Sequence, residues 1–384
     1  MGAISVKYMG SKRTMLSNGL GEAIGRSLNE AERVFDLFTG SAAVAWYVAE
    51  KYGKEVLASD LQIYSTVLAA SVIERTTPVT DRIWIETWMR RARARVSAHG
   101  EWKAIKELQA SLGKIPISEA AANARSINFG VKFPISRAYA GYYFSPWQSV
   151  WIDALRATIP ETEDLRNVAL ASLIQAASRC TASPGHTAQP FKPNDTAGPF
   201  LIEAWQRDLT RIVQNRIDDI APRKAARKGQ AHCMNAIELA ETVRPRDLVF
   251  LDPPYSGVHY SRFYHVLESV ARGHVGDVSG EGRYPEKNER PTSDFSMLTT
   301  SRKAFNDLLA VLASKNANVI ITFPAGKASN GLSGDDVKKM AADHFLIEEA
   351  KVSSRFSTLG GDLKHRAARQ QADELILTLS SRFL

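Results

Sequence analysis

Four residues that follow an apolar stretch carry the strongest chemical signal in this sequence. Residues 248–251 read LVFL, which is typical of a buried strand, and Asp252, Pro253, Pro254 and Tyr255 come directly after it. In an open α/β sheet, ligands bind at the carboxyl ends of the strands. The Asp252 carboxylate and the Pro253 carbonyl can accept hydrogen bonds from an exocyclic amine, and Tyr255 offers a ring on which a base stacks. These four residues are therefore predicted to be catalytic.

A second signal lies in the turn after another predicted strand, residues 33–38. Asp36 belongs to that strand, and Gly40 follows it where a helical pattern begins. A glycine at this place lets a ligand approach the backbone at a helix N-terminus. Asp60 ends the next predicted strand, where nucleoside-binding α/β folds place an acid that binds ribose hydroxyls. The G-x-G-x-x-G pattern of dinucleotide-binding folds is absent, so a nicotinamide cofactor is not expected.

The elements that must position these residues alternate between strand and helix at both ends of the chain. The predicted strands are residues 33–38, 55–59, 248–251, 318–323, 345–349 and 374–379, with a mainly helical block between the second and the third. One α/β sheet that carries a large helical insertion fits this order better than two consecutive domains.

Composition and charge restrict the class of protein further. The 384 residues carry a net charge of +8, and the basic residues are dense in residues 82–106, 206–228 and 283–303, which suits a polyanionic partner. No apolar run is long enough to span a membrane, and the N-terminus lacks the apolar core of a secretory signal, so a cytoplasmic protein is expected. The eight histidines and two cysteines show no metal-ligand spacing, and no metal is expected.

Three segments in a fixed order give the sequence a family resemblance. They are KYMGSK at residues 7–12, DLFTGSA at 36–42 and DPPY at 252–255, with Asp60 between the second and the third. In this order the chain resembles the Dam-type (alpha-group) N6-adenine-specific DNA methyltransferases. It departs from the family pattern at Ala42, where a glycine is usual.

The resemblance implies a fold, a cofactor and a division of the chain. The fold would be a Rossmann-like methyltransferase sheet, seven-stranded and mostly parallel, with a large, mainly helical inserted domain. Residues 1–75 and 228–384 would form the discontinuous catalytic domain, and residues 76–227 a target-recognition domain. The cofactor would be S-adenosyl-L-methionine, and the residues expected to bind it are Tyr8, Lys12, Asp36, Phe38, Gly40, Ser41, Asp60 and Asn235. At Asn235 the family usually carries an aspartate, and the asparagine oxygen can still accept a hydrogen bond.

The implied reaction is methyl transfer to the N6 amine of adenine in a specific sequence of double-stranded DNA, after the base is flipped out of the duplex. Transfer to cytosine N4, an RNA substrate, and an inactive DNA-binding module with the same fold remain alternatives. The family also implies a restriction-modification role, in which a cognate nuclease is a further partner. Residues chosen as DNA contacts lie in two segments, 179–199 and 256–268, and are His186, Lys192, Tyr260, Arg262 and Tyr264.

Overall fold

The computed structural model describes residues 12–355 and 371–382, so Tyr8 lies outside the described residues. The strands are β1 (Arg33–Asp36), β2 (Glu55–Asp60), β3 (Gln230–Cys233), β4 (Leu248–Leu251), β5 (Val278–Ser279), β6 (Tyr284–Pro285), β7 (Asn318–Pro324), β8 (Phe345–Arg355) and β9 (Gln371–Ser381).

The helices before β3 are α1 (Arg13–Leu16), α2 (Leu20–Ser27), α3 (Ala43–Lys51), α4 (Ile63–Ile73), α5 (Ile83–Ser97), α6 (Trp102–Ser111), α7 (Ile117–Ser126), α8 (Pro134–Tyr139), α9 (Pro146–Ala157), α10 (Glu163–Cys180), α11 (Gly198–Trp205) and α12 (Leu209–Ile220). Those after β3 are α13 (Ala236–Ala240), α14 (Tyr260–Phe263), α15 (His265–Arg272), α16 (Ser301–Ser314) and α17 (Gly334–His344), with two short 3-10 helices at Lys287–Glu289 and Asp294–Ser296. In the part of the chain that the structure describes, no helix is long and apolar enough to cross a membrane.

The chain forms two compact units. A sheet unit takes the described residues up to Thr77, Lys224–Tyr260, and the described residues from Pro291 onward. A helical unit takes Pro78–Arg223 and Ser261–Arg290.

The sheet unit contains one sheet of seven strands in the order β3-β2-β1-β4-β7-β9-β8. The first five strands in this order pair in parallel, and β9 pairs antiparallel with both β7 and β8. This confirms the predicted seven-stranded, mostly parallel sheet. Strand β3 was not among the segments predicted as strands, because QAHC is short and only partly apolar.

The central strands are apolar on both faces, as parallel strands covered by helices must be. Every residue of β4 is buried, and the inner five residues of β7 are buried as well. One sheet face packs against α13, α16 and α17 in a continuous apolar core. On the other sheet face, the strand residues that alternate with these, among them Val34 and Phe250, are equally buried. On that side α2, α3 and α4 contact the strands. The core therefore fixes the strand ends rigidly.

The helical unit packs α5, α8, α9, α10, α12 and α15 against one another. Its interior also contains ordered polar contacts: the buried Asp153 accepts hydrogen bonds from the Ile135 and Ser136 backbone N–H groups at the start of α8. Residues 261–290, which the sequence analysis grouped with the sheet, pack in this unit instead. The reason is the face of α15, on which Val266 and Val270 are fully buried next to α8, α9 and α10.

Candidate active site

Three acidic residues lie at the carboxyl edge of the sheet, each where a strand ends. Asp36 ends β1, Asp60 ends β2, and Asp252 follows β4. Strand β1 lies between β2 and β4 in the sheet, and the register places Asp36 opposite Ala58 on one side and Phe250 on the other. The chain reverses its direction of winding at β1, and the carboxyl edge at such a switch point is where open α/β sheets bind ligands.

Asp36 is buried without a complete set of hydrogen bonds. Its side chain is 1% exposed, and its Oδ1 atom has no hydrogen-bond partner among the residues that the structure describes. Burial raises the pKa of Asp36 to about 8, and the neighbouring Asp252 and Asp60 carboxyls add to that effect. An unsatisfied buried acceptor costs free energy, which a bound donor would recover. The site therefore fits a ligand that presents a cationic or N–H donor to Asp36.

Asp60 is held by backbone N–H groups on both of its carboxylate oxygens. Gly40 donates to Oδ2 at 2.9 Å, and Gln62 donates to Oδ1 at 3.0 Å. Gly40 has a φ of 51°, in the left-handed region that glycine adopts without strain. These two contacts fix the orientation of the Asp60 carboxylate, a group type that accepts hydrogen bonds from ligand hydroxyls. Ala42, the departure from the family pattern, has a φ of 61° at the start of α3, so an alanine occupies a position that favours glycine.

Asp252 shares a buried cation with a second carboxylate from the far end of the chain. Lys12 Nζ lies 3.0 Å from Asp252 Oδ1 and 3.2 Å from Glu374 Oε1 on β9. Thr322 on β7 donates from its hydroxyl to the same Asp252 Oδ1 at 3.1 Å. The Lys12 and Glu374 side chains are 4% and 3% exposed, whereas that of Asp252 is 16% exposed. Among the described residues, the ion pair and the hydrogen bond of Asp252 both go to Oδ1, which leaves Oδ2 for a ligand.

The charge states of this cluster depend on one another. Burial opposes the charged form of Lys12, but the Asp252 and Glu374 carboxylates outweigh it, so the pKa of Lys12 is raised. Burial also raises the pKa of Asp252, and Lys12 and Thr322 oppose that rise. The pKa of Glu374 is raised in the same way by burial, with Lys12 opposing. Lys12 is thus the largest influence that opposes the rise in the Asp252 pKa caused by burial.

Asn330 ties the segment after β4 to its neighbours. This residue is 1% exposed, and its Nδ2 atom donates to the carbonyl oxygens of Pro254 at 3.0 Å and of Phe295 at 3.1 Å. The Asn330 backbone N–H donates to the Tyr255 carbonyl at 3.3 Å. Since proline has no N–H and a fixed φ, these contacts set where the remaining carbonyl groups point.

Aromatic side chains stand beside the acidic cluster. The Tyr255 ring is partly buried against the core, and Lys12 Nζ lies 6.0 Å from its centroid. Burial raises the pKa of Tyr255 to about 12, although Lys12 and a hydrogen bond with Tyr260 act in the other direction. Phe38, also partly buried, meets Phe295 edge to face with ring centroids 5.0 Å apart. A planar ligand could stack at this edge of the sheet unit.

Two other residues predicted to bind the cofactor have structural contacts in this unit. Ser41 is buried at 7% exposure in the turn before α3. Asn235 is the N-cap of α13, and its Oδ1 accepts from the Ile237 N–H at 3.0 Å. That oxygen is therefore partly occupied by the helix it caps.

The residues predicted to contact DNA are distributed between the two units. Tyr260, in the sheet unit, is hydrogen-bonded to Tyr255. In the helical unit, His186 is half-buried against the Phe263 ring, Lys192 is exposed and pairs with Glu281 at 3.4 Å, and Arg262 is exposed over the Tyr284 ring. Tyr264 is fully buried, so its side chain packs inside that unit and does not reach its surface.

Thr322, Asn330 and Glu374 were missed by sequence reasoning. Thr322 lies inside an apolar strand, Asn330 in a loop, and Glu374 on the last described strand. Each is an isolated polar residue far along the chain from its partner, so no local motif marks it. The weak signal that could have found Glu374 is an acid within the apolar run ELILTL, because a buried charge requires a partner.

Comparison with known proteins identifies the family of the chain. The sequence profile of the D12 class of N6 adenine-specific DNA methyltransferases matches residues 8–95 and 161–316. "Modification methylase StsI" of Streptococcus sanguinis is 24% identical over 328 residues, which cover 83% of this chain and 44% of the relative. "Type II methyltransferase M.FokI" of Planomicrobium okeanokoites is 26% identical over 369 residues, which cover 90% of this chain and 48% of the relative. The chain thus spans about half the length of the curated relatives it matches. The profile matches well over half of the chain and confirms the resemblance read from its motifs: the chain belongs to the D12 class of N6 adenine-specific DNA methyltransferases.

Proposed function

We propose that this chain transfers a methyl group from S-adenosyl-L-methionine to the N6 amine of adenine in double-stranded DNA. The observation that carries the proposal is Asp252, whose Oδ1 is held by Lys12 and Thr322 while Oδ2 has no hydrogen bond within the described part of the chain. A carboxylate held in this way can accept a hydrogen bond from an exocyclic amine. Membership of the D12 class and the names of its relatives support adenine and DNA as the target.

The residues at the carboxyl edge of the sheet suit the proposed cofactor. When bound, S-adenosyl-L-methionine supplies a methyl group activated by a positively charged sulfur. Asp36, buried with an unsatisfied oxygen, would accept from the amino group of the methionine part. Asp60, held by the Gly40 N–H, would accept from the ribose hydroxyls. The positive charges of this ligand would also offset the accumulation of carboxylates that raises the pKa of Asp36.

The chain's own residues would activate the amine by holding its two hydrogens. Asp252 Oδ2 and the Pro253 carbonyl accept them, which directs the nitrogen lone pair toward the methyl carbon. The amine nitrogen would accept the methyl group that the cofactor supplies, and the cofactor sulfur would keep the electron pair of the broken C–S bond. The surplus proton of the methylated amine passes to Asp252, whose pKa is raised by burial, and from there to water.

Tyr255 would receive the flipped base by stacking. Base–aromatic stacking contributes about 1–3 kcal/mol per base, which offsets part of the few kcal/mol that flipping costs. The helical unit, which contains most of the predicted recognition domain at residues 76–227, would supply contacts to DNA phosphates and base edges. A cognate nuclease as partner stays a prediction from the family resemblance.

The test is transfer of a labelled methyl group to duplex DNA and to RNA by the wild-type chain and two variants. Asp252→Ala removes both acceptor oxygens, and Asp252→Asn keeps the size of the side chain but replaces one acceptor with a donor. Both variants should still bind S-adenosyl-L-methionine, and both should lose about 100-fold or more in kcat. Equal activity of wild type and variants on DNA would overturn the proposed role of Asp252, and labelling of RNA alone would overturn the substrate.

A further inference from the structure

Large apolar side chains are exposed beside the segment that carries Asp252. Leu298 is 70% exposed and Met297 is 41% exposed, in the loop between the second 3-10 helix and α16. Val258, three residues after Tyr255, is 39% exposed. Apolar side chains grouped in this way mark a surface that another molecule covers.

The Met297–Leu298 loop is attached directly to the catalytic segment. A single nitrogen, Asn330 Nδ2, donates to the Pro254 and Phe295 carbonyl oxygens, so these two oxygens lie at most about 6 Å apart. On the other side of the loop, the Ser301 hydroxyl donates to the Asn330 carbonyl at 2.9 Å. Leu298 therefore lies between two residues that are anchored to the same buried asparagine.

The loop is also ordered internally. The Ser301 N–H donates to the Met297 carbonyl at 2.8 Å, and the Thr300 hydroxyl donates to the Asp294 carbonyl at 2.8 Å. Leu298 rests against Gly331, where an added Cβ would lie 2.9 Å from Leu298 Cδ2. The exposed leucine is thus presented in a fixed position, which lowers the entropic cost of inserting it into a partner.

We propose that Leu298, supported by Met297, is an apolar wedge that enters the base stack of duplex DNA and fills the space left by the flipped base. This inference rests on the proposed function, because it places the wedge at the rim of the site that receives the base. Leucine and methionine are among the side chains that insert between base steps.

Charge on the neighbouring loop favours DNA as the occupant. Lys327 is exposed on the loop that carries Asn330, and it forms no ion pair with the residues that the structure describes. Gly331 on the same loop lies against Leu298, so the loop that supports the apolar projection also carries this ammonium. Such a pairing suits a duplex, whose phosphates flank its stacked bases.

The experiment compares Leu298→Ala with the matched control Leu346→Ala on two DNA duplexes. Leu346 is 58% exposed, but it lies on β8, the edge strand at the opposite end of the sheet from β3. Both duplexes carry the sequence in which the wild-type chain methylates genomic DNA. One duplex has the target adenine paired, and in the other the adenine faces an abasic site, so that little work is needed to extrude it. We expect Leu298→Ala to lower kcat/KM about tenfold on the paired duplex and less than about threefold on the abasic one. Leu346→Ala should match the wild type on both.

A second readout separates insertion from general damage. With 2-aminopurine in place of the target adenine, fluorescence should increase on binding to the wild-type chain and increase less with Leu298→Ala, while Leu298→Phe should retain the signal. If Leu298→Ala lost kcat/KM equally on both duplexes, or lost none on the paired duplex, the proposed wedge would be wrong. The proposed function would still stand. The wedge would also be overturned if Leu298→Ala changed the oligomeric state but left the ratio of kcat/KM between the two duplexes unchanged. That result would favour a protein partner for this surface. A wild-type chain that methylates neither duplex would overturn the proposed function and the wedge with it.

Discussion

Replacement of Asp36 by asparagine should change how the stability of the free protein depends on pH. Asp36 is 1% exposed, and burial, together with the Asp252 and Asp60 carboxyls, raises its pKa from 3.8 to about 8. The folded protein therefore retains a proton on Asp36 that the unfolded chain releases above about pH 4. Asparagine has nearly the same size and does not titrate.

The sign and size of the effect follow from that difference in pKa. Because the folded state binds the extra proton, the contribution of Asp36 to the free energy of unfolding decreases as pH rises from about 4 to about 8, and is level above. Between pKa values of 3.8 and about 8 the full contribution is on the order of 5 kcal/mol. The asparagine variant does not lose this contribution as pH rises. Its free energy of unfolding, relative to that of the wild type, should therefore increase by about 3 kcal/mol between pH 5.5 and pH 8.5.

The assay is thermal unfolding of ligand-free protein at these two pH values, with Asp307→Asn as control. Asp307→Asn makes the same chemical change at the surface, where Asp307 pairs with the exposed Lys303. The Asp36→Asn variant should gain several degrees in Tm over the wild type on going from pH 5.5 to pH 8.5, and the control should gain none. A constant difference in Tm at both pH values would refute the protonation of Asp36 and, with it, the argument that this site awaits a cationic ligand.

Three further changes test the contacts around the catalytic segment. Lys12→Met should lower kcat and move the acidic limb of the pH–kcat profile to higher pH, because Lys12 lowers the pKa of Asp252; an unmoved limb would contradict this. Asn330→Ala should reduce the free energy of unfolding in urea by about 2–4 kcal/mol, since it leaves two buried carbonyl oxygens unpaired, and Asn330→Asp should not restore it because a carboxylate has no donor. Gly257→Ala should lower kcat/KM, because the new Cβ would lie 2.5 Å from a carbonyl oxygen after β7, whereas Gly100→Ala, with nothing within 4 Å, should not.

The parts of the site that could be predicted from sequence are those with a local pattern. Asp36, Asp60 and Asp252 each stand at the end of a short apolar run, and parallel strands bring such ends to one edge of the sheet. The apolar runs also identified six of the seven strands of the sheet, and β3 was missed because its four residues are only partly buried.

The remaining contacts depend on tertiary structure and could not be predicted locally. Lys12 is separated by 362 residues from Glu374, so their pairing depends on the position of β9 next to β7. Tyr264 illustrates the opposite error: an aromatic residue close to the catalytic tetrad suggested a substrate contact, but the amphipathic face of α15 buries it. Sequence spacing alone does not distinguish an aromatic residue that packs a helix from one that binds a base.

The most direct test of the central claim is the identity of the methylated nucleoside. Genomic DNA incubated with the chain and labelled S-adenosyl-L-methionine would be digested to nucleosides and separated by mass spectrometry, with Asp252→Ala in parallel. The account predicts labelled N6-methyladenine with the wild-type chain and none with the variant. N4-methylcytosine in its place, or cofactor binding without any methylated nucleoside, would contradict it.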